Sequence, residues 1–329
     1  MTDIVRYHEI GGPEVLKVEQ GDPGAPGDGE VLIAIEAIGL NRSEAAQRAG
    51  TYIVRPPLPA RLGHEAAGTI LAVGANVTGW QIGDAVSTLP PMRPGDYGTY
   101  AGQTLWPATQ LIRRPEGLSA EQAAASWVAF LTAYGGLCEA GGLRAGQPVV
   151  ISAASSSVGL AAIQIARAVG AIPIATTRQA AKRAALEQAG AAYVVISDEQ
   201  DVVAEIRRAT GGAGAPLIFD PVAGPFAERL MECLAPDGML IVYGGLSNQP
   251  ATFPRHLAIG RNLTMRGYNF FPLAADAARR AEAMAMISAG LEAGRFDMPV
   301  AARFALAEVG GAHRALEANA HIGKMLLIP

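Results

Sequence analysis

Two cysteines stand in 329 residues, Cys138 and Cys233, too few and too far apart for a disulfide framework or a four-cysteine metal lobe. Both fall within apolar helical patterns, where a thiol is expected as a packing group in a reducing compartment. Charge is sparse at 17% and balanced to a net of −4, which excludes the polybasic surfaces of nucleic-acid and membrane-surface binders. No apolar run approaches the ~18 residues needed to cross a bilayer. The opening MTDIVRYHEI lacks a signal-peptide pattern, so a cytosolic, soluble protein is expected. No repeat at a fixed period is visible. The glycine fingerprint G-x-G-x-x-G of dinucleotide-binding turns is also missing.

What is there instead is the stretch 148–169, PVVISAASSSVGLAAIQIARAV. Val149, Val150, Ile151 and Ala153 read as a short strand buried on both faces. Ala154, Ser155, Ser156 and Ser157 form a bend of small residues. From Val158 onward Leu160, Ile163, Ile165, Ala166 and Val169 follow the helical period. Strand, small-residue turn and helix make a phosphate site, because the backbone can approach a pyrophosphate and the first helical N–H groups lack internal partners. The segment equally fits a serine-capped helix after a core strand, with Gly159 as its one glycine.

The next apolar run, 172–176, ends in Thr176, Thr177 and Arg178, with Lys182 one turn on. In a dinucleotide fold this strand end meets the adenosine ribose about twenty residues after the phosphate turn, where an acid selects NAD. Here the acid is absent. An Arg fork and a Lys point charge suit a 2′-phosphate, and basic charge at a helix start opposes the dipole unless an anion is near. NADP is therefore expected over NAD.

Residues 3–40 read as a hairpin closing near Gly11 and Gly12, a loop, and a strong strand VLIAIEAIGL. A short helix is expected over 43–50. Ser119 with Gln122 has capping-box spacing, and a domain boundary is placed there. Beyond it, strands at 192–196, 216–219, 238–243 and 263–268 alternate with helices at 179–189, 200–210 and 224–234. With the first two strands these make a doubly wound parallel sheet in an α/β chain. After a helix near 276–290, the strand 325–328 is expected to rejoin the first domain. The expected division is 1–118 with 294–329, and 119–293.

These motifs together, VLIAIEAIGLNRSE, GTYIVRPPLPARLGHEAAGTI, GDAV, FLTAYGGL, the 148–169 segment and GKMLLI, resemble the medium-chain dehydrogenase/reductase superfamily along the whole chain. Within it the chain is most similar to the zinc-independent, zeta-crystallin-like quinone oxidoreductases. The resemblance implies a GroES-like β-rich domain followed by a Rossmann domain. AASSSVG departs from it where the family carries more glycine. The positions of the superfamily's zinc ligands fall at Asn41, at His64 beside Glu65, and near Val128, and one imidazole with an amide and a valine cannot build a tetrahedral site. No metal is expected.

Without a Lewis acid, a quinone or α,β-unsaturated carbonyl is a more accessible hydride acceptor than an alcohol is a donor. The resemblance implies that Asn41 and Tyr52 face the substrate and polarise its oxygen; by themselves they also read as a turn amide and a packing phenol. It implies cofactor contacts from Thr132, from Ser155, Ser156, Ser157, Val158 and Gly159, from Thr177, Arg178 and Lys182, from Tyr243, Gly244 and Gly245, and from Lys324. NADPH is the expected cofactor. Trp106, Tyr97, Phe270 and Phe271, with the 90–98 loop, are candidates for lining an apolar cleft. The apolar final strand of the sheet, LTMRGY, suits two-fold pairing into a homodimer. A non-catalytic NADPH-binding module and a zinc alcohol dehydrogenase are the competing readings.

Overall fold

The computed structural model describes residues 1–90 and 97–329, so most of the 90–98 loop lies outside the described residues. The chain divides into two compact units, Met1–Val128 with Leu273–Pro329, and Ala129–Pro272. The first unit takes a larger C-terminal share than the 294–329 expected from sequence, because the helix Ala277–Glu292 belongs to it. The division also cuts the helix Ala120–Tyr134, which begins as expected: Gln122 N donates to Ser119 Oγ at 3.2 Å and Ser119 N to Gln122 Oε1 at 3.0 Å.

The first unit is β-rich. Its larger sheet is built on Glu30–Gly39, where Val31, Ile33 and Ile35 alternate inward with the period of a half-buried strand. That strand pairs antiparallel with Glu65–Val73, and two register shifts bend it. On its other edge, Gln103–Pro107 and the C-terminal strand Lys324–Ile328 share its length. The last strand therefore returns to the first unit across the whole chain. A smaller sheet holds Thr2–Tyr7 between Leu16–Gly21 and Ala60–Arg61. The core includes Val31, Ile33, Ile38, Ile70, Trp106 and Leu327, each fully buried and each contributing roughly 1.5–3 kcal/mol of apolar transfer.

The second unit is a six-stranded, all-parallel sheet. Its order is Tyr193–Ile196, Ile172–Thr177, Pro148–Ile151, Ala215–Asp220, Leu234–Val242 and Thr264–Gly267. That is the doubly wound order, with its reversal between the strands that start at Pro148 and Ala215. Val149, Val150 and Ile151 are fully buried, as parallel strands covered on both faces require. The helices Ser157–Ala168, Arg183–Ala189, Val202–Ala209 and Gly224–Glu232 follow the expected segments. The helix Arg255–Arg261 and the π-helical turn Gly135–Ala140 were not expected. Among the described residues, no helix is long and apolar enough to cross a membrane.

Candidate functional site

In the second unit the strand Pro148–Ile151 ends in the bend of small residues and passes into Ser157–Ala168. Ser156 is the N-cap, its hydroxyl accepting from Gly159 N at 3.1 Å. The Ser156 proton is thereby left to donate elsewhere. Gly159 is required by close approach, since a Cβ there would lie 2.6 Å from Ala154 Cα and from its carbonyl oxygen. Lys182 reaches back to this bend and donates to Ser155 Oγ at 3.3 Å. Burial, and then the charge of Arg178, lowers its pKa. Arg178 is exposed at the end of Ile172–Thr177, and Thr177 is buried there. Two neighbouring cations, an Arg fork and a Lys point charge, thus stand near the end of this strand, with Lys182 bonded to the small-residue turn.

Asp220, which the sequence reading passed over, holds the adjoining loop. It accepts from the Ser152 hydroxyl, from Val222 N at 3.0 Å and from Ala223 N at 2.8 Å. Its signal in the sequence was an acid at the end of an apolar strand, where nothing local shows the three donors. Tyr243 stacks on Phe219 with centroids 4.0 Å apart. Burial, and then the Asp220 charge, pushes its phenol well above the usual range. Gly244 and Gly245 follow as an exposed segment, while Thr132 is buried within its helix.

In the first unit the residues of the second candidate site gather around Asn41. This residue caps the helix Arg42–Arg48 in a capping box with Glu44, whose Oε2 accepts from Asn41 N at 2.7 Å. Glu44 is fully buried and also accepts from His64 N at 2.9 Å and from the Tyr100 hydroxyl at 2.7 Å. Tyr100 in turn lies 3.1 Å from His313 Nε2, and since its own proton goes to Glu44, it accepts from that ring. Burial holds His64 down to about 4 against the pull of Glu65, and His313 down to about 3, so both imidazoles are neutral near pH 7. Glu65 accepts from Val128 N at 2.8 Å.

Lys324 is placed differently from the sequence reading, which grouped it with the cofactor residues. It is 1% exposed and donates to Glu65 Oε2 and to Asn41 Oδ1, each at 2.6 Å. The strand Lys324–Ile328 carries it into the Asn41 cluster because that strand pairs with Glu30–Gly39. Gly39 makes room for it: a Cβ there would sit 2.1 Å from Ala124 O and 2.8 Å from Lys324 Cε. Gly39→Ala is expected to destabilise the protein by about 1–3 kcal/mol through overpacking, read as a lowered urea midpoint. An unchanged midpoint would show that the strand relaxes freely.

Tyr52 is half-buried, its ring 6.4 Å from that of His64. Burial, and then the Glu44 charge, pushes its phenol up to about 12, so it stays protonated and able to donate. Trp106 does not line a cleft: it is fully buried and its indole N–H lies 3.2 Å from Leu89 O and 3.3 Å from Gln110 O. Tyr97 packs on it and donates to Glu30 at 2.6 Å. Phe270 and Phe271 stack on each other at 5.3 Å. Cys233 is a packed thiol pushed up to about 12, chiefly by burial, and Cys138 is half-buried. Among the described residues, no three His, Cys, Asp or Glu groups are grouped to hold a metal ion.

Comparison with known proteins places both units. Residues 27–116 match the alcohol dehydrogenase GroES-like domain, and residues 157–289 match the zinc-binding dehydrogenase family. A quinone oxidoreductase of Pseudomonas aeruginosa is 34% identical over the whole of both chains. The crystal structure of the Escherichia coli quinone oxidoreductase complexed with NADPH superposes with a TM-score of 0.93 at 29% identity, covering 99% of this chain and 100% of the other. A 2-haloacrylate reductase is similar at a TM-score of 0.84 and 26% identity, over 99% of each chain.

Proposed function

We propose an activity for a chain that belongs to the zinc-independent quinone oxidoreductases of the medium-chain dehydrogenase/reductase superfamily: hydride transfer from NADPH to quinones or α,β-unsaturated carbonyl compounds. The observation that carries this reading is the pair of cations, Arg178 and Lys182, beside a turn whose Gly159 leaves no room for a Cβ. The turn from Ser155 to Gly159 would hold the pyrophosphate, and Arg178, Lys182 and Thr177 the 2′-phosphate end. Thr132, Tyr243, Gly244 and Gly245 are assigned to the remaining cofactor contacts. When bound, NADPH supplies the hydride.

The chain's own work is then to bind, orient and polarise. As negative charge develops on the acceptor's oxygen, Tyr52 and the Asn41 amide are assigned as the donors that meet it. Tyr52 remains protonated at neutral pH, so its hydrogen bond persists through the step. A conjugated acceptor fits the name of the 2-haloacrylate reductase among the similar structures.

NADPH consumption measured against a panel of quinones and enones tests the reading. Turnover with at least one acceptor is expected. Tight NADPH binding without turnover on any of them would instead support a silent binding module.

We further assign the strand Thr264–Gly267 as a dimer edge. Among the described residues it ends the sheet, pairing only with Leu234–Val242, and three of its four residues are exposed. Tyr268 N donates inward to Val242 O at 2.9 Å, so by alternation the N–H of Met265 points to the open edge. Met265→Pro therefore spares the internal ladder and removes one outward donor. Sedimentation at micromolar concentration is expected to show a dimer for the wild type and a monomer for the variant. A wild-type species near 34 kDa, or an intact variant dimer, refutes the placement.

A further inference from the structure

The amide of Asn41 is held unequally at its two ends. Its oxygen takes one short hydrogen bond, 2.6 Å from Lys324 Nζ. Its nitrogen has three acceptors at longer range: Gly39 O at 3.2 Å, Glu65 Oε2 at 3.3 Å and Glu44 Oε1 at 3.5 Å. An ammonium has only donors, so the atom facing Lys324 must be the amide oxygen, and a flipped amide would set NH₂ against NH₃⁺. The same ammonium lies 2.6 Å from Glu65 Oε2, and both side chains are essentially fully buried. Lys324 therefore also cancels a carboxylate that would otherwise stand bare beside the amide nitrogen.

We propose that Lys324 is a positioning residue: its buried ammonium anchors Asn41 by the amide oxygen and presents the loosely held amide N–H edge as the donor to the acceptor's oxygen. The ammonium also polarises the amide, since a hydrogen bond accepted at the oxygen strengthens donation from the nitrogen. The inference rests on the reading of Asn41 as a donor in hydride transfer. It removes Lys324 from the cofactor contacts. Three separate stretches meet at this one cation: the turn at Asn41, the strand Glu65–Val73 and the strand Lys324–Ile328. Through Glu65 it also reaches the backbone of Val128.

The test uses the full chain and the double variant Lys324→Met/Glu65→Gln, which removes the pair together, because Lys324→Met alone strands a buried carboxylate. Unfolding midpoint, NADPH affinity by fluorescence, and steady-state kinetics with 1,4-benzoquinone are read. The Asn41 side-chain NH₂ resonances in ¹⁵N-labelled protein, assigned by their loss in Asn41→Ala, are followed alongside. The double variant should recover most of the midpoint that Lys324→Met loses and bind NADPH within about twofold of wild type. Its kcat should fall at least tenfold with little change in KM, as for loss of an interaction made in the transition state. The Asn41 NH₂ protons should be two resolved, slowly exchanging signals in the wild type and should shift or broaden in the variant.

Unchanged kcat in a folded double variant overturns the proposal, and so does a tenfold loss of NADPH affinity, which would make Lys324 a cofactor contact. If the variant does not fold, the wild-type spectrum still decides, since a rapidly exchanging Asn41 amide is not anchored. If the wild type turns over no acceptor, the proposed activity fails, while the NH₂ signals still judge the anchoring.

Discussion

Replacing Asn41 by alanine lowers kcat by about two orders of magnitude while KM moves far less, the pattern for a donor whose bond strengthens as charge develops on oxygen. Tyr52→Phe has a comparable effect, because the phenol is pushed up to about 12 and is a donor at every pH near neutrality. The two substitutions differ in what else they disturb. Asn41 also accepts from Lys324, so its loss leaves a buried ammonium short of one partner and is accompanied by a lower unfolding midpoint. Tyr52→Phe keeps the ring beside His64 and removes only the hydroxyl, and stability should hold. Steady-state kinetics with a quinone, alongside urea melts, separate these outcomes. Full activity in both single variants would place oxygen polarisation elsewhere.

The second large effect is on cofactor choice. Arg178→Ala weakens NADPH binding by about 1.5–3 kcal/mol, the range for hydrogen bonds to a charged group, and leaves NADH almost unaffected. Lys182→Ala acts in the same direction and should also loosen the turn, since its ammonium bonds the Ser155 hydroxyl. Fluorescence titration with both nucleotides is the measurement. A wild type that prefers NADH, or equal losses for both cofactors, would end the 2′-phosphate assignment of these residues.

The strands and helices of the second unit were legible because each is written in local periodicity. The run Val149 to Ile151 followed by the helical spacing from Leu160 to Val169 is a pattern within twenty-odd residues, and it folds as strand, turn and helix. The capping pair Ser119 and Gln122 is legible for the same reason, since donor and acceptor are three residues apart. Trp106 was not legible. A tryptophan in an alternating strand reads alike whether it faces a cleft or a core, and only the packing of the first unit buries it against Leu89 and Gln110.

What the sequence determined by itself is the alternation of strand and helix in the second unit, apart from Arg255–Arg261 and Gly135–Ala140, the family, and the residue types gathered at the strand ends. What the tertiary structure decided is which of those residues meet. Lys324 looked like part of a terminal strand motif and stands 283 residues from Asn41, yet the pairing of that strand with Glu30–Gly39 brings its ammonium to the Asn41 amide. His313, Tyr100 and Glu44 likewise form one hydrogen-bonded line from three distant segments. Burial is the physical reason. Local patterns of polar and apolar residues select helix or strand, whereas the partners of a buried charge are set by whichever segments the core brings within about 3 Å of it, and no spacing in the chain encodes that distance.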